Sequence, residues 1–122
     1  MNKECLCKIR ELYMALDSFD KEFTKRFGLD LTQALALCHL QEEPDKGAGE
    51  IAAALGLKAS HTSKLIAKME AKGLIKRKLC KEDLRCMKFS LTPSGADLLS
   101  TIISSDITLP SLLQSNSSAG TY

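Results

Sequence analysis

The fold is decided by residues 50–95, EIAAALGLKASHTSKLIAKMEAKGLIKRKLCKEDLRCMKFSLTPSG. Apolar residues recur there at helical spacing. They predict a short helix ending at Gly56 and a second helix over 59–72 ending at Gly73. The inward positions of the second helix are Thr62, Leu65, Ile66 and Met69. Two short helices joined by a tight glycine turn are the unit that presents its second helix to a DNA groove.

After Gly73 the apolar pattern changes from helical to extended. Two runs, 74–80 and 86–91, flank the charged residues 81–85, which predicts a β-hairpin. Ala48 and Gly49 are candidates for a short third strand beside it. The expected fold class is mainly α (α+β): a winged helix–turn–helix with a two- or three-stranded β-wing and flanking helices.

The charges of the chain are concentrated in the same stretch. The whole protein has a net charge of only +2. Between Lys58 and Lys88, ten basic residues face three acidic ones, so this stretch carries +7 and the remainder −5. A basic surface on an otherwise acidic protein indicates contact with phosphates, although a merely solvated charged face would give the same count.

The residue types on this surface suit nucleic-acid contact. Serine and histidine can bond to base edges or phosphates, and lysines neutralise phosphates. The candidates for the major groove and nearby phosphates are Ser60, His61, Ser63, Lys64 and Lys68. The candidates for holding the DNA backbone lie on the hairpin and are Lys76, Arg77, Lys78, Lys81 and Lys88.

Six short segments in the right order, spanning residues 31–95, resemble the MarR family of bacterial transcription regulators. They are Leu31-Thr32, residues 51–57, 63–66, 72–77, Asp83-Leu84-Arg85, and residues 91–95. The resemblance implies that Arg85 reads the minor groove and that Asp83 holds it in place. It also implies a homodimer on a pseudo-palindromic double-stranded DNA operator, and a small aromatic effector that releases the protein from DNA.

The rest of the chain supplies supporting helices. Residues 1–28 predict one long amphipathic helix with a stripe of Leu, Ile, Tyr and Phe, which is either part of the dimer region or core of its own subunit. A scaffold helix follows from Leu31 to about Gln41. Thr92 as cap and Pro93 in the first turn begin a last helix.

We expect a single domain over 1–106, with 1–28 as dimer-region helix, 31–92 as DNA-binding core and 93–106 as C-terminal helix. Residues 107–122 are expected to form a short turn and a disordered serine-rich tail.

Five cysteines without disulfide-framework spacing, no secretory signal and no apolar run of membrane-spanning length predict a cytoplasmic protein that does not enter a membrane. Oxidation of Cys80 and Cys86 beside the wing turn, or of Cys5 and Cys7 near the N-terminus, is a candidate switch. Incidental thiols are the alternative.

Enzyme chemistry finds no support in the sequence. It contains no glycine-rich phosphate loop, no nucleophile elbow and no metal-binding motif, so neither a metal nor another cofactor is expected. The alternative function is a winged-helix interaction module whose basic wing docks an acidic partner protein.

Overall fold

The computed structural model of the protein describes residues 1–79 and 87–111. These parts of the chain form five helices and one antiparallel pair of strands. Their bounds are α1 Lys3–Phe27, α2 Leu31–Glu42, α3 Ala48–Leu55, α4 Ala59–Ala71, β1 Ile75–Leu79, β2 Met87–Leu91 and α5 Pro93–Ile103. This order confirms the predicted mainly α winged helix–turn–helix, with a two-stranded wing. The chain divides into two compact units, residues 31–105 and residues 1–30 with the segment that begins at Asp106.

The tight turn between α3 and α4 has the predicted cause. Gly56 adopts the left-handed conformation, with φ of +67°, which a residue carrying a Cβ rarely adopts. The N–H of Leu57 then donates to the carbonyl of Ala52 over 2.9 Å and closes the end of α3. The chain can therefore reverse within three residues and start α4 at Ala59.

The core of the 31–105 unit is centred on α2, which contacts α3, α4, α5 and β2. Leu37 and Leu40 of α2 are buried, as are Ile51 of α3 and Leu65 and Met69 of α4. Helix α2 is thus the scaffold that the sequence predicts, and it fixes α3 and α4 from beneath. Burial of these aliphatic side chains supplies the main driving force for the arrangement.

The predicted third strand at Ala48 and Gly49 is wrong, because both residues lie in the first turn of α3. The Glu50 carboxylate accepts a hydrogen bond from the N–H of Gly47 over 3.3 Å, and this stabilises a helix that begins at Ala48. The contact with the wing is instead an isolated bridge, in which Lys46 and Phe89 exchange backbone hydrogen bonds of 3.2 and 2.8 Å.

The wing strands pair antiparallel in a register that sets Ile75 opposite Leu91, Lys78 opposite Lys88 and Leu79 opposite Met87. Ile75, the first residue of β1, and Phe89, in the middle of β2, are buried, whereas Leu79 and Met87 are exposed at the outer end. The hairpin is therefore anchored to the core where it begins and extends away from it.

Helix α5 starts as its sequence predicts. The hydroxyl of Thr92 accepts from the N–H of Gly95 over 3.1 Å and donates to the carbonyl of Gly73. The N–H of Thr92 also donates to the carbonyl of Leu74. These bonds bring the first turn of α5 against the chain between α4 and β1, and Gly95 is buried there.

The other unit consists of α1 and the segment from Asp106. The apolar stripe of α1 has two parts: Phe23 is buried, with its ring centroid 4.8 Å from that of Phe27, while Leu12 and Leu16 are exposed. Arg26 pairs with Asp106, and this hydrogen bond lowers the pKa of that carboxyl. Across the described residues, no helix combines the length and apolar character that crossing a membrane requires. Most of the predicted tail, residues 112–122, lies outside the described residues.

Candidate nucleic-acid interface

The outward side of α4 carries the five candidates for groove contact. Thr62, Leu65, Ile66 and Met69 take the buried side of the helix. All five candidates are exposed, and none has a side-chain hydrogen bond or ion pair within residues 1–79 and 87–111; they are Ser60, His61, Ser63, Lys64 and Lys68. The polar side of α4 is thus exposed along most of its length.

Helical spacing puts three of these residues in one row. Ser60, Lys64 and Lys68 follow one another at intervals of four, which places them one above another on one face. The row is about 12 Å long at 1.5 Å per residue. An α-helix with its side chains is about 10–12 Å in diameter, which fits the major groove of B-form DNA, and the two lysines of the row then lie within reach of phosphates.

The C-terminal end of α4 is engaged with the protein itself. Lys72 caps the helix, and its ammonium donates to the Oε1 of Gln33 over 2.8 Å. Gln33 is a buried residue of α2, only 4% exposed. A buried amide oxygen requires a donor, and Lys72 supplies it. The sequence does not predict this anchor, because nothing in a pattern of apolar residues connects Gln33 with a lysine 39 positions later.

The wing strands separate their cations between two faces. Alternation along β1 puts Lys76 and Lys78 on one face and Arg77 on the other. Since Lys78 is paired with Lys88 on β2, these three lysines share one face. Two like charges directly opposite one another destabilise a hairpin, and an anion between them relieves the repulsion. This lysine face has the chemistry of a phosphate-binding surface.

Arg77 differs from the lysines on either side of it. Its Nε donates to the Oε2 of Glu70 over 2.8 Å, and its Nη2 donates to the Oε1 over 2.5 Å. The guanidinium also lies 5.9 Å from the centroid of the Phe89 ring. The hydrogen bond with Arg77 lowers the pKa of Glu70, and the same bond raises the pKa of Arg77. The residue predicted to hold the DNA backbone therefore has a partner within the protein.

Glu50 is the second acidic residue that the structure brings to this surface. Its carboxylate lies 3.4 Å from the ammonium of Lys46 and 4.0 Å from that of Lys88. The hydrogen bond from the backbone of Gly47 is the main cause that lowers the pKa of Glu50, and the two lysines add to it. The sequence does not predict this role of Glu50, because one of its partners, Lys88, lies 38 positions later in β2.

The other predicted residues divide by location. Lys81, Asp83 and Arg85, together with Cys80 and Cys86, lie outside the described residues. Cys5 is an exposed free thiol and Cys7 a partly exposed one near the start of α1. In the part of the chain that the structure describes, no three His, Cys, Asp or Glu side chains come together as metal ligands.

Comparisons with known proteins agree with this architecture. The MarR family model matches residues 29–87. A solved structure described as the MarR family transcription regulator SP03579 is 25% identical, with a TM-score of 0.72, and the match covers 83% of this chain and 67% of that one. The Staphylococcus aureus MepR–DNA complex is 24% identical, with a TM-score of 0.71, and the match covers 85% of this chain and 75% of that one.

A third solved structure is the C80S mutant of MarR from E. coli complexed with operator DNA. It is 19% identical, with a TM-score of 0.69, and covers 80% of this chain and 72% of that one. The two relatives below 25% identity establish similarity of fold. A search of the curated proteins finds no match.

Proposed function

We propose that this chain is a DNA-binding transcription regulator of the MarR family, as the family-model match over residues 29–87 and the similarity to the regulator SP03579 support, and that it binds a pseudo-palindromic operator as a homodimer. The observation that carries the proposal is the row of exposed polar side chains on α4, which have no partner among the described residues, together with the lysine face of the wing. Such a regulator acts on bacterial DNA and therefore in the cytoplasm.

In this proposal α4 is the recognition helix. Ser60, His61 and Ser63 contact base edges or sugars, while Lys64 and Lys68 contact phosphates. Two recognition helices of a dimer enter successive major grooves about 34 Å apart, which accounts for a pseudo-palindromic site. The support is the exposed outward side of α4 and the packing of α4 on α2.

The wing is assigned the flanking contacts. Lys76, Lys78, Lys81 and Lys88 hold the DNA backbone, and the opposed pair of Lys78 and Lys88 supports this role for β1 and β2. By resemblance to the family, Arg85 enters the minor groove and Asp83 orients it.

Release from DNA is assigned to a small aromatic effector or to thiol oxidation. Both follow from resemblance to the family. Cys80 and Cys86 stand next to Lys81 and Arg85 in the sequence, and neighbouring cations favour the reactive thiolate. Oxidation at these positions would alter the wing that we assign to DNA contact.

Operator binding is tested by fluorescence anisotropy against the upstream DNA of the protein's own gene and a scrambled duplex, over a salt series with reductant. We expect a preference for the upstream duplex and a steep decrease in affinity with salt, because phosphate contacts release counterions.

Arg85→Ala should lose about 1–3 kcal/mol of binding free energy for the specific duplex, whereas Lys78→Ala should weaken binding to both duplexes alike. Equal losses for both variants on both duplexes would contradict these roles. Absence of preference in the wild type would contradict the function.

The homodimer is assigned to the exposed part of the α1 stripe. Leu6, Leu12 and Leu16 are exposed, and Tyr13 is 72% exposed. A contiguous apolar strip of this kind marks a protein–protein contact. This assignment also separates the proposed function from the acidic-partner module, for which a single subunit suffices.

The dimer is tested by replacing Leu12 and Leu16 with aspartate. We expect the double variant to sediment as a monomer at micromolar concentration, because buried carboxylates at an apolar contact are costly. Met14→Asp is the matched control: Met14 is 64% exposed but lies off the stripe on the same helix, so this variant should remain dimeric. A wild-type monomer at this concentration would support the acidic-partner module instead.

A further inference from the structure

We propose that Glu70 and Arg77 position the wing strands relative to the recognition helix, so that an acidic residue beside the DNA-binding surface is required for specific binding. Arg77 is then a positioning residue and not a phosphate ligand. The inference rests on the proposed function, and it assigns to two residues a role that the basic character of the surface does not suggest.

The geometry of the pair supports a positioning role. Two N–H···O bonds join the guanidinium to both oxygens of one carboxylate, and this bidentate arrangement fixes orientation as well as distance. Glu70 lies one residue before the last residue of α4, and Arg77 lies in the middle of β1. The pair therefore bridges the turn between the helix and the wing.

The surroundings of Arg77 hold it on the inner side of the hairpin. Its guanidinium lies near the ring of Phe89, which is buried, and its Nη1 is 3.4 Å from the sulfur of Met87. Both neighbours belong to β2, so Arg77 links α4 to both strands. The lysines at 76 and 78 point to the opposite face.

The pairing also leaves Arg77 little to offer a phosphate. Its Nε and Nη2 are occupied by Glu70, which cancels its charge locally. A phosphate contact would have to displace a carboxylate that is only 22% exposed on its side chain. Lys76 and Lys78 have no such competitor among the described residues.

The length of the wing strands explains why their angle relative to α4 matters. Five residues of a strand extend about 16 Å at about 3.3 Å per residue. A rotation of about 10° at the base moves the outer end by about 3 Å, which is enough to break a hydrogen bond at that end. Contacts made by the wing and by α4 stay in register on one DNA only if the angle between them is fixed.

The first test is Glu70→Gln, which removes a negative charge near DNA. If Glu70 acted through charge alone, the variant would bind every duplex more tightly. If Glu70 acts by positioning the wing, the affinity of the variant for the specific duplex should decrease about tenfold. Its affinity for the scrambled duplex should stay the same or increase. Partial unfolding lowers both affinities by one factor, so the ratio of the two affinities is the readout. Tighter binding to both duplexes would overturn the proposal.

The second test conserves charge. Arg77→Lys keeps the cation but cannot form the bidentate pair. A phosphate ligand would tolerate this change, whereas a positioning residue should lose specific affinity about tenfold with an unchanged salt slope. Lys76→Gln is the matched control on the other face: it should weaken both duplexes and reduce the slope by about one per protomer. An unchanged specificity ratio in Arg77→Lys would overturn the proposal.

A measurement without DNA separates this inference from the proposed function. We expect the amides of β1 and β2 to exchange hydrogen faster in Glu70→Gln than in the wild type, with exchange in α2 unchanged. If the wild type shows no preference for any duplex, the proposed function fails. Faster amide exchange confined to β1 and β2 in Glu70→Gln would still support the positioning role of the Glu70–Arg77 pair. Unchanged exchange in β1 and β2 would contradict it.

Discussion

Gly95→Ala should destabilise the protein by about 3 kcal/mol, the upper part of the range for overpacked sites. A Cβ at this position would lie 3.1 Å from the carbonyl carbon of Leu74 and closer still to its oxygen. That oxygen accepts from the N–H of Thr92, so the backbone on both sides is fixed and cannot move away cheaply. The first turn of α5 would be pushed off the junction between α4 and β1.

Urea denaturation followed by circular dichroism measures this effect, and Gly49→Ala is its control. Gly49 is also a helical glycine, but nothing lies within 4 Å of a Cβ placed there. Alanine at Gly49 should therefore stabilise α3 by a few tenths to about 1 kcal/mol, as expected from helix propensity. If the two variants had similar stability, the close approach of Leu74 would not be the reason that position 95 requires glycine.

Replacing Lys64 and Lys68 together with glutamine should weaken binding to both the operator and the scrambled duplex. In a homodimer the double change removes four cations from the proposed phosphate contacts. The slope of log affinity against log salt should fall by about 3–4, and affinity near 0.15 M salt by about 2–4 kcal/mol. Because both lysines are exposed and unpartnered within the described residues, folding stability should change little.

Lys3→Gln with Lys8→Gln provides the matched control. These lysines are also exposed and also lie on one helix, but that helix is α1. The net charge changes by the same amount, so a general charge effect would lower the slope equally in both double variants. We expect the control to bind nearly as the wild type does. Equal slopes would show that Lys64 and Lys68 do not touch phosphates.

The boundaries of the elements could be predicted because each has a local chemical cause. Gly56 and Gly73 end α3 and α4, and Thr92 with Pro93 begins α5, so a few neighbouring residues determine each position. The error at Ala48 and Gly49 has a local cause as well. The contact with the wing falls at Lys46, and the carboxylate of Glu50 favours a helix start at Ala48.

The candidate site was only partly predictable. The free side of α4 follows from helical periodicity alone, since the buried positions at 62, 65, 66 and 69 define the opposite face. The pairing of Arg77 with Glu70 does not, because periodicity cannot distinguish a cation that faces solvent from one that faces a carboxylate across a turn. A count of charges treats Arg77 and Lys76 as equal, whereas in the structure Arg77 is paired with Glu70.

The division of α4 into a free part up to Lys68 and an anchored part from Glu70 onward has a consequence for engineering chimeric regulators. Base-contacting positions from a relative can be grafted onto residues 60–68 without disturbing the bonds of Glu70 to Arg77 and of Lys72 to Gln33. A graft of the entire helix together with its cap at Lys72 would bring foreign residues to both anchors. The boundary for exchange of specificity therefore falls inside the helix, at Met69, whose buried side chain belongs to the scaffold.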